Sequence, residues 1–185
     1  MNLLGWLSNL TGSEVPRGPA PPDLSIFDAG LLDCSGFLAA TEWDEHGHRR
    51  DPAAIVAYAV ALVGQGRYGL GKGARRQRHR PGEIDGDWIS TTSVYRDATG
   101  PQRLWRAVPV DEAQAGDGVT YPSTYRLGVR TRIGHCGRIV AVNGPGWAGL
   151  DVVDCAGRRP PAIAHRPDGG ALWGRRGGVV VRRVG

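Results

Sequence analysis

One cysteine and one histidine in this 185-residue chain stand in settings that suit covalent acyl transfer. Cys34 lies in Leu31-Leu32-Asp33-Cys34-Ser35-Gly36-Phe37-Leu38-Ala39-Ala40, where an acidic, turn-like residue precedes a short helical run through Phe37, Leu38, Ala40 and Trp43. Asp33 can cap that helix through its carboxylate. Cys34 then falls in the first turn, where free backbone N–H groups and the positive end of the helix dipole favour a thiolate over a thiol. Such a nucleophile needs a base brought beside it by the fold. Among the five histidines, His135 alone is embedded in an apolar, strand-like run, Ile133 to Val142; His46, His48 and His79 lie in charged loops, and His165 in a Pro-bounded segment. Residues two apart on a strand point the same way, so His135 faces the cysteine helix if Ile139 and Ala141 share that face. Spacing alone leaves a second reading open. In it Cys34 is a small buried hydrophobe at a helix start and His135 a hydrogen-bonded structural residue.

The elements that must position these residues can be read in outline. Leu3, Leu4, Trp6, Leu7 and Leu10 fall near helical spacing, and Pro16, Pro19, Pro21 and Pro22 follow as an extended linker. The compact domain is therefore expected to run over residues 23–185, after an N-terminal segment of residues 1–22. Asp51-Pro52 opens the clearest helix, with Asp51 as cap and Pro52 at the first position; Ile55, Val56, Ala59, Val60, Leu62 and Val63 predict that it is largely buried. Gly64 and Gly66 end it. The following Tyr68-Gly69-Leu70-Gly71-Lys72-Gly73 has glycines and a lysine but lacks the spacing and the preceding strand of a phosphate-binding loop. From Ala107 onward the pattern becomes β. Strands are expected near Val119 to Tyr121, Ile133 to Val142 and Leu150 to Cys155, with two more at Ile163 and Val179 to Val181.

Composition narrows the function classes. The 29 glycines and 13 prolines predict one loop-rich domain with few long helices. The formal charge of +5, with arginines at 75, 76, 78 and 80 and at 175, 176, 182 and 183, favours polyanions. No nucleic-acid recognition module surrounds those arginines, so no specific nucleic-acid partner is expected. Cys34, Cys136 and Cys155 are odd in number and far apart, which fits neither a disulfide framework nor a zinc site; Cys136 and Cys155 are expected to face the core. His46-x-His48 lacks a third ligand, and no cofactor is implied. The first ten residues lack the basic start and unbroken apolar stretch of a signal peptide, and no run is long enough to span a membrane.

Asp33-Cys34-Ser35-Gly36-Phe37 resembles the nucleophile motif of the NlpC superfamily, papain-like cysteine peptidases and amidases that mostly cut bacterial cell-wall peptides. Gly134-His135-Cys136-Gly137 is similar to the family's histidine strand, Ala115 to Pro122 to the Gly-Asp turn and strand opening its small barrel, and Leu150 to Gly157 to the strand holding a third polar residue. The resemblance implies an α+β papain-like domain, its cysteine helix packed on an antiparallel sheet or small barrel. It implies catalysis by Cys34, His135 and Asp154, with Asp154 holding the second imidazole nitrogen. It also implies substrate contacts from Tyr68, Trp88 and Thr92, the last two in a segment resembling one bacterial and phage branch. One departure stands out. The helix and Tyr-Gly loop that usually precede the cysteine motif follow it here, so the two elements are exchanged in order. The implied activity is hydrolysis of amide bonds in peptidoglycan stem peptides, by a protein made in the cytoplasm and delivered to the wall by lysis or secretion machinery. Alternatives are a thiol acyltransferase on the same fold and an inactive binding module for cell-wall or phage-tail components.

Overall fold

The computed structural model describes residues 31–32, 34–44, 48–68, 90–156, 161–167 and 169–182. The expectations for residues 1–22, Asp33, His46, the loop 69–73, the arginines of 75–80 and Trp88 lie outside the described residues. In chain order the elements are β1 (Leu31–Leu32), α1 (Cys34–Glu42), α2 (Pro52–Ala61), β2 (Arg67–Tyr68), α3 (Thr91–Thr99) and β3 (Arg106–Val108). Then come β4 (Gly118–Tyr121), β5 (Thr124–Arg126), β6 (Val129–Arg132), β7 (His135–Val142), β8 (Leu150–Cys155), β9 (Ile163–Arg166), α4 (Gly170–Arg175) and β10 (Val179–Arg182). The architecture is α+β. Six antiparallel strands form one sheet in the order β3-β10-β4-β7-β8-β9, beside a parallel pair β1–β2 and an antiparallel hairpin β5–β6. Among the described residues β3 and β9 are edges, so the strand pairing is that of an open sheet.

Local chemistry explains the helices. Asp51 caps α2 by accepting from the Ala54 N–H at 2.8 Å, with Pro52 at the first helical position. Its apolar surface divides, however: Ile55, Tyr58, Ala59 and Leu62 are buried, whereas Val60 is 36% exposed, so α2 covers the core with one stripe instead of lying within it. Gly64 and Gly66, both at positive φ, turn the chain into β2. α3 forms despite its β-branched residues because Ser90 caps it, accepting from Ser93 N–H at 3.0 Å, and because Val94 and Ala98 bury one face.

Strand alternation sorts the sheet into two faces. On one, Cys136, Val140, Val153, Cys155 and Val181 pack under Cys34, Phe37, Leu38 and Ala40 of α1, with α2 and α3 beside it. On the other, Ile139, Val152, Tyr121 and Val180 pack with Trp173 of α4. Trp147, in the turn before β8, seats α4 through two glycines: a Cβ at Gly174 would lie 2.6 Å from the indole, and one at Gly170 would run into the Trp147 carbonyl.

Candidate active site

The two ends of α1 are both referenced to β7. Cys34, its first residue, lies beside Cys136. Four residues on, the Leu38 carbonyl accepts from Arg138 Nη2 at 2.7 Å. Four helical residues advance about 6 Å and two strand residues about 6.6 Å, so the helix and strand keep step. Arg138 is 2% exposed, and its other bonds complete the anchorage: Nε to Thr41 Oγ1 at 3.1 Å, Nη1 to the Gly116 carbonyl at 3.0 Å and Nη2 to Glu42 Oε2 at 3.2 Å. Glu42 also accepts from Trp105 Nε1 at 3.1 Å and pairs with Arg49 Nε at 3.3 Å. This buried network fixes the helix that carries the thiol. Burial lowers the pKa of Arg138, while the Glu42 carboxylate acts in the opposite direction.

His135 is the first residue of β7, and its Nε2 lies 3.1 Å from Asp154 Oδ2. The strand register makes that contact: Gly137 pairs with Asp154, so His135 and Asp154 are diagonal neighbours on one face. The imidazole also adjoins the Cys34 thiol, near enough that each shifts the ionisation of the other. The route of approach differs from the sequence expectation. His135 does share a face with Ile139, but that face packs on Trp173, while the cysteine helix covers the face of Cys136 and Val140. Imidazole and thiol meet at the end of the strand, where the first residue of β7 adjoins the first residue of α1.

The electrostatics suit an ion pair. Cys34 is held well below the ordinary thiol value: hydrogen bonding from the Cys136 side chain has the largest effect, burial opposes it, and the His135 hydrogen bond and charge and the Cys136 backbone N–H add to it. For His135 burial works against the charged form. The hydrogen bonds to Asp154 and Cys34 outweigh burial, raising its pKa from 6.5 to about 9. Asp154 is buried, which by itself raises its pKa; the His135 and Arg166 hydrogen bonds bring it below the ordinary value, so it remains a carboxylate.

Three supporting residues lie outside the set expected from the sequence. Arg166 Nε donates to the same Asp154 Oδ2 at 2.7 Å. Trp173 lies flat on the His135 ring, centroids 5.0 Å apart and planes 6° from parallel, where the indole face favours an imidazolium. Gly137 makes this possible, since a Cβ there would lie 3.2 Å from the Trp173 ring and 2.6 Å from Val152 Cγ1. Cys136, expected only to face the core, is buried as expected and also does most to lower the pKa of the Cys34 thiol. For Arg166 a signal existed: with β8 and β9 read as a hairpin, alternation puts it on the face of Asp154, diagonal to it. For Trp173 no pattern in the chain points to His135.

The structure thus brings Cys34, His135 and Asp154 together. The backbone of Tyr68 pairs in register with Leu32, two residues before Cys34. Thr92 sits in the first turn of α3, its hydroxyl accepting from Ser123 N–H at 3.3 Å. That turn abuts the residue before His135: a Cβ at Gly134 would collide with Thr91 Oγ1. His48 and His165 stand apart, each facing its own carboxylate at 3.5 Å, Asp44 and Asp151 respectively. Among the described residues no group of three or more His, Cys, Asp or Glu side chains is arranged to hold a metal ion, and no helix is long and apolar enough to cross a membrane. No protein-family model, no curated protein and no solved structure matches the chain.

Proposed function

We propose that the chain is an NlpC-type cysteine hydrolase that cuts amide bonds in peptidoglycan stem peptides. The observation that carries this reading is the His135–Asp154 pair, 3.1 Å apart, set against Cys34 at the first residue of a helix packed on an antiparallel sheet. The Asp-Cys-Ser-Gly-Phe motif supplies the choice of family and substrate. The exchanged element order is compatible with it, because α2 packs against α1 through Tyr58, Ala59 and Leu62 and β2 returns the chain beside β1.

In this mechanism the Cys34 thiolate adds to the scissile carbonyl while His135 is an imidazolium. The Cys34 backbone N–H, at the first helical position and therefore without an intrahelical acceptor, faces the developing oxyanion. His135 gives its proton to the leaving amine as the C–N bond breaks, leaving a thioester. It then takes a proton from water, whose oxygen attacks the thioester; as the C–S bond breaks, the acid leaves and the starting pair of thiolate and imidazolium is restored. Asp154, held by Arg166, keeps the imidazole oriented throughout. Thr92 is proposed to contact the substrate, and delivery to the wall to depend on lysis or a secretion machinery.

The test is digestion of purified peptidoglycan and of synthetic stem peptides, with new amine and carboxyl ends located by mass spectrometry. Wild type should release one amine per cleavage, and Cys34→Ala and His135→Ala none. Adding an amine acceptor separates hydrolysis from acyl transfer. Wall binding that survives Cys34→Ala, with no cleavage by wild type, would instead establish a binding module.

A further inference from the structure

The β5–β6 hairpin is set apart from the rest of the fold. It forms its own two-stranded sheet between β4 and β7, beginning three residues after Tyr121 and ending three before His135. Four of the seven large exposed hydrophobic residues among those described fall in or beside it: Leu127 at 96%, Val129 at 67%, Tyr125 at 62% and Ile133 at 44% exposure. Scattered singly on a surface such residues would need no account, but here they are concentrated on one projection. Its turn is unusual too. Leu127 has φ 49° and Gly128 φ 76°, the two left-handed positions of a two-residue hairpin turn that Asn-Gly serves best. A leucine there is strained and bare to solvent at once, and such an outlier points to use outside the fold.

The charge of the hairpin identifies what it fits. Residues 124–133 carry Arg126, Arg130 and Arg132 and no acidic residue. Arg132 is tied back to the body, donating to the Arg176 carbonyl at 2.7 Å and lying 5.0 Å over the Tyr121 ring. Arg126 and Arg130 have no carboxylate partner among the described residues. A hydrated polyanion would satisfy these arginines but leave Leu127 in water. A protein partner of ordinary affinity needs roughly 20–30 residues a side, several times what this hairpin presents. An anionic bilayer takes both features without needing a complementary shape, because apolar insertion and attraction to headgroups add.

We propose that the β5–β6 hairpin is a membrane-docking element, inserting Leu127 into the surface of an anionic bilayer with Arg126 and Arg130 on the headgroup phosphates. Docking there places the end of β7 that bears His135 toward the membrane. This proposal stands without the hydrolase reading.

The experiment is co-sedimentation of the full chain with vesicles of 30% phosphatidylglycerol in phosphatidylcholine, against pure phosphatidylcholine, at about 0.05 and 0.5 M salt. Wild type should bind the anionic vesicles and release them at high salt. Leu127→Asn should bind about tenfold more weakly, the worth of inserting one leucine. Asparagine suits the left-handed turn, so that variant keeps or raises the melting temperature, and its loss of binding is not a loss of fold. Leu127→Trp should give a blue-shifted emission difference on anionic vesicles only. Equal binding by wild type and Leu127→Asn would overturn the proposal and assign the attraction to the basic surface as a whole. So would no vesicle binding, including the case in which the chain self-associates through Leu127 instead.

Discussion

Replacing Asp154 by asparagine should move the titration of a histidine that keeps its place. The variant retains an amide oxygen able to accept from His135 Nε2 and loses the negative charge. In the native protein burial depresses the His135 pKa, and the bonds to Asp154 and Cys34 raise it to about 9. A hydrogen bond to a charged group contributes about 1.5–3 kcal/mol, and each pKa unit corresponds to about 1.4 kcal/mol. The imidazole should therefore titrate about one to two units lower, near 7 to 8, with the Arg166 guanidinium, left without its carboxylate, pushing the same way. Imidazole ¹⁵N shifts followed by NMR over roughly pH 5–10 read this directly, the His135 signal being identified by its loss in His135→Ala. Because the weaker imidazolium no longer supports the thiolate as well, iodoacetamide should also alkylate Cys34 more slowly at pH 6. Arg166→Gln provides the contrast: it leaves the carboxylate in place and should not lower the His135 pKa. A His135 pKa still near 9 in a folded Asp154→Asn variant would refute the reasoning, since some other group would then be holding the proton.

Further expectations concern the supports of the site. Cys136→Ala should slow alkylation of Cys34 at pH 6 by about tenfold, because the largest influence lowering the thiol is lost, while Cys136→Ser, which keeps a donor, should stay near wild type. Arg138→Met, which leaves the Leu38 and Gly116 carbonyls without this donor and Glu42 with Arg49 as its remaining cation, should cost about 3–5 kcal/mol, read as a lower urea midpoint with unchanged slope. Asp117 has its pKa raised from 3.8 to about 6, chiefly by burial, with the Gln114 N–H and Arg182 opposing. Its folded pKa exceeds its unfolded one, so its contribution to stability is full below 3.8 and is lost as the pH rises through about 6. Thermal melts should show that Asp117→Asn removes this slope. His135 behaves likewise at higher pH, its contribution being full below 6.5 and lost as the pH rises through about 9.

The chain by itself determined what local rules govern. Asp51-Pro52 sets the start of α2 through one carboxylate and one fixed φ, and the runs from Ile133, Leu150 and Val179 become strands because apolar residues alternate or run on between turns. Cys34 at a helix start and His135 in a strand were legible for the same reason: each setting involves only near neighbours in sequence. The pairing of His135 with Asp154 needed one further step, the register of β7 against β8, which the tertiary structure supplies by placing Gly137 opposite Asp154. What composition and periodicity could not decide was which face of the sheet the cysteine helix would cover, since both faces of β7 are apolar enough to be buried. That choice rests on Arg138, whose guanidinium keeps α1 in step with the strand across 100 residues of sequence. Trp173 reaches the imidazole only because Gly137 leaves room and Gly170 and Gly174 admit Trp147. These are matters of volume between distant segments, and a sequence pattern carries no measure of the space that another part of the chain will leave.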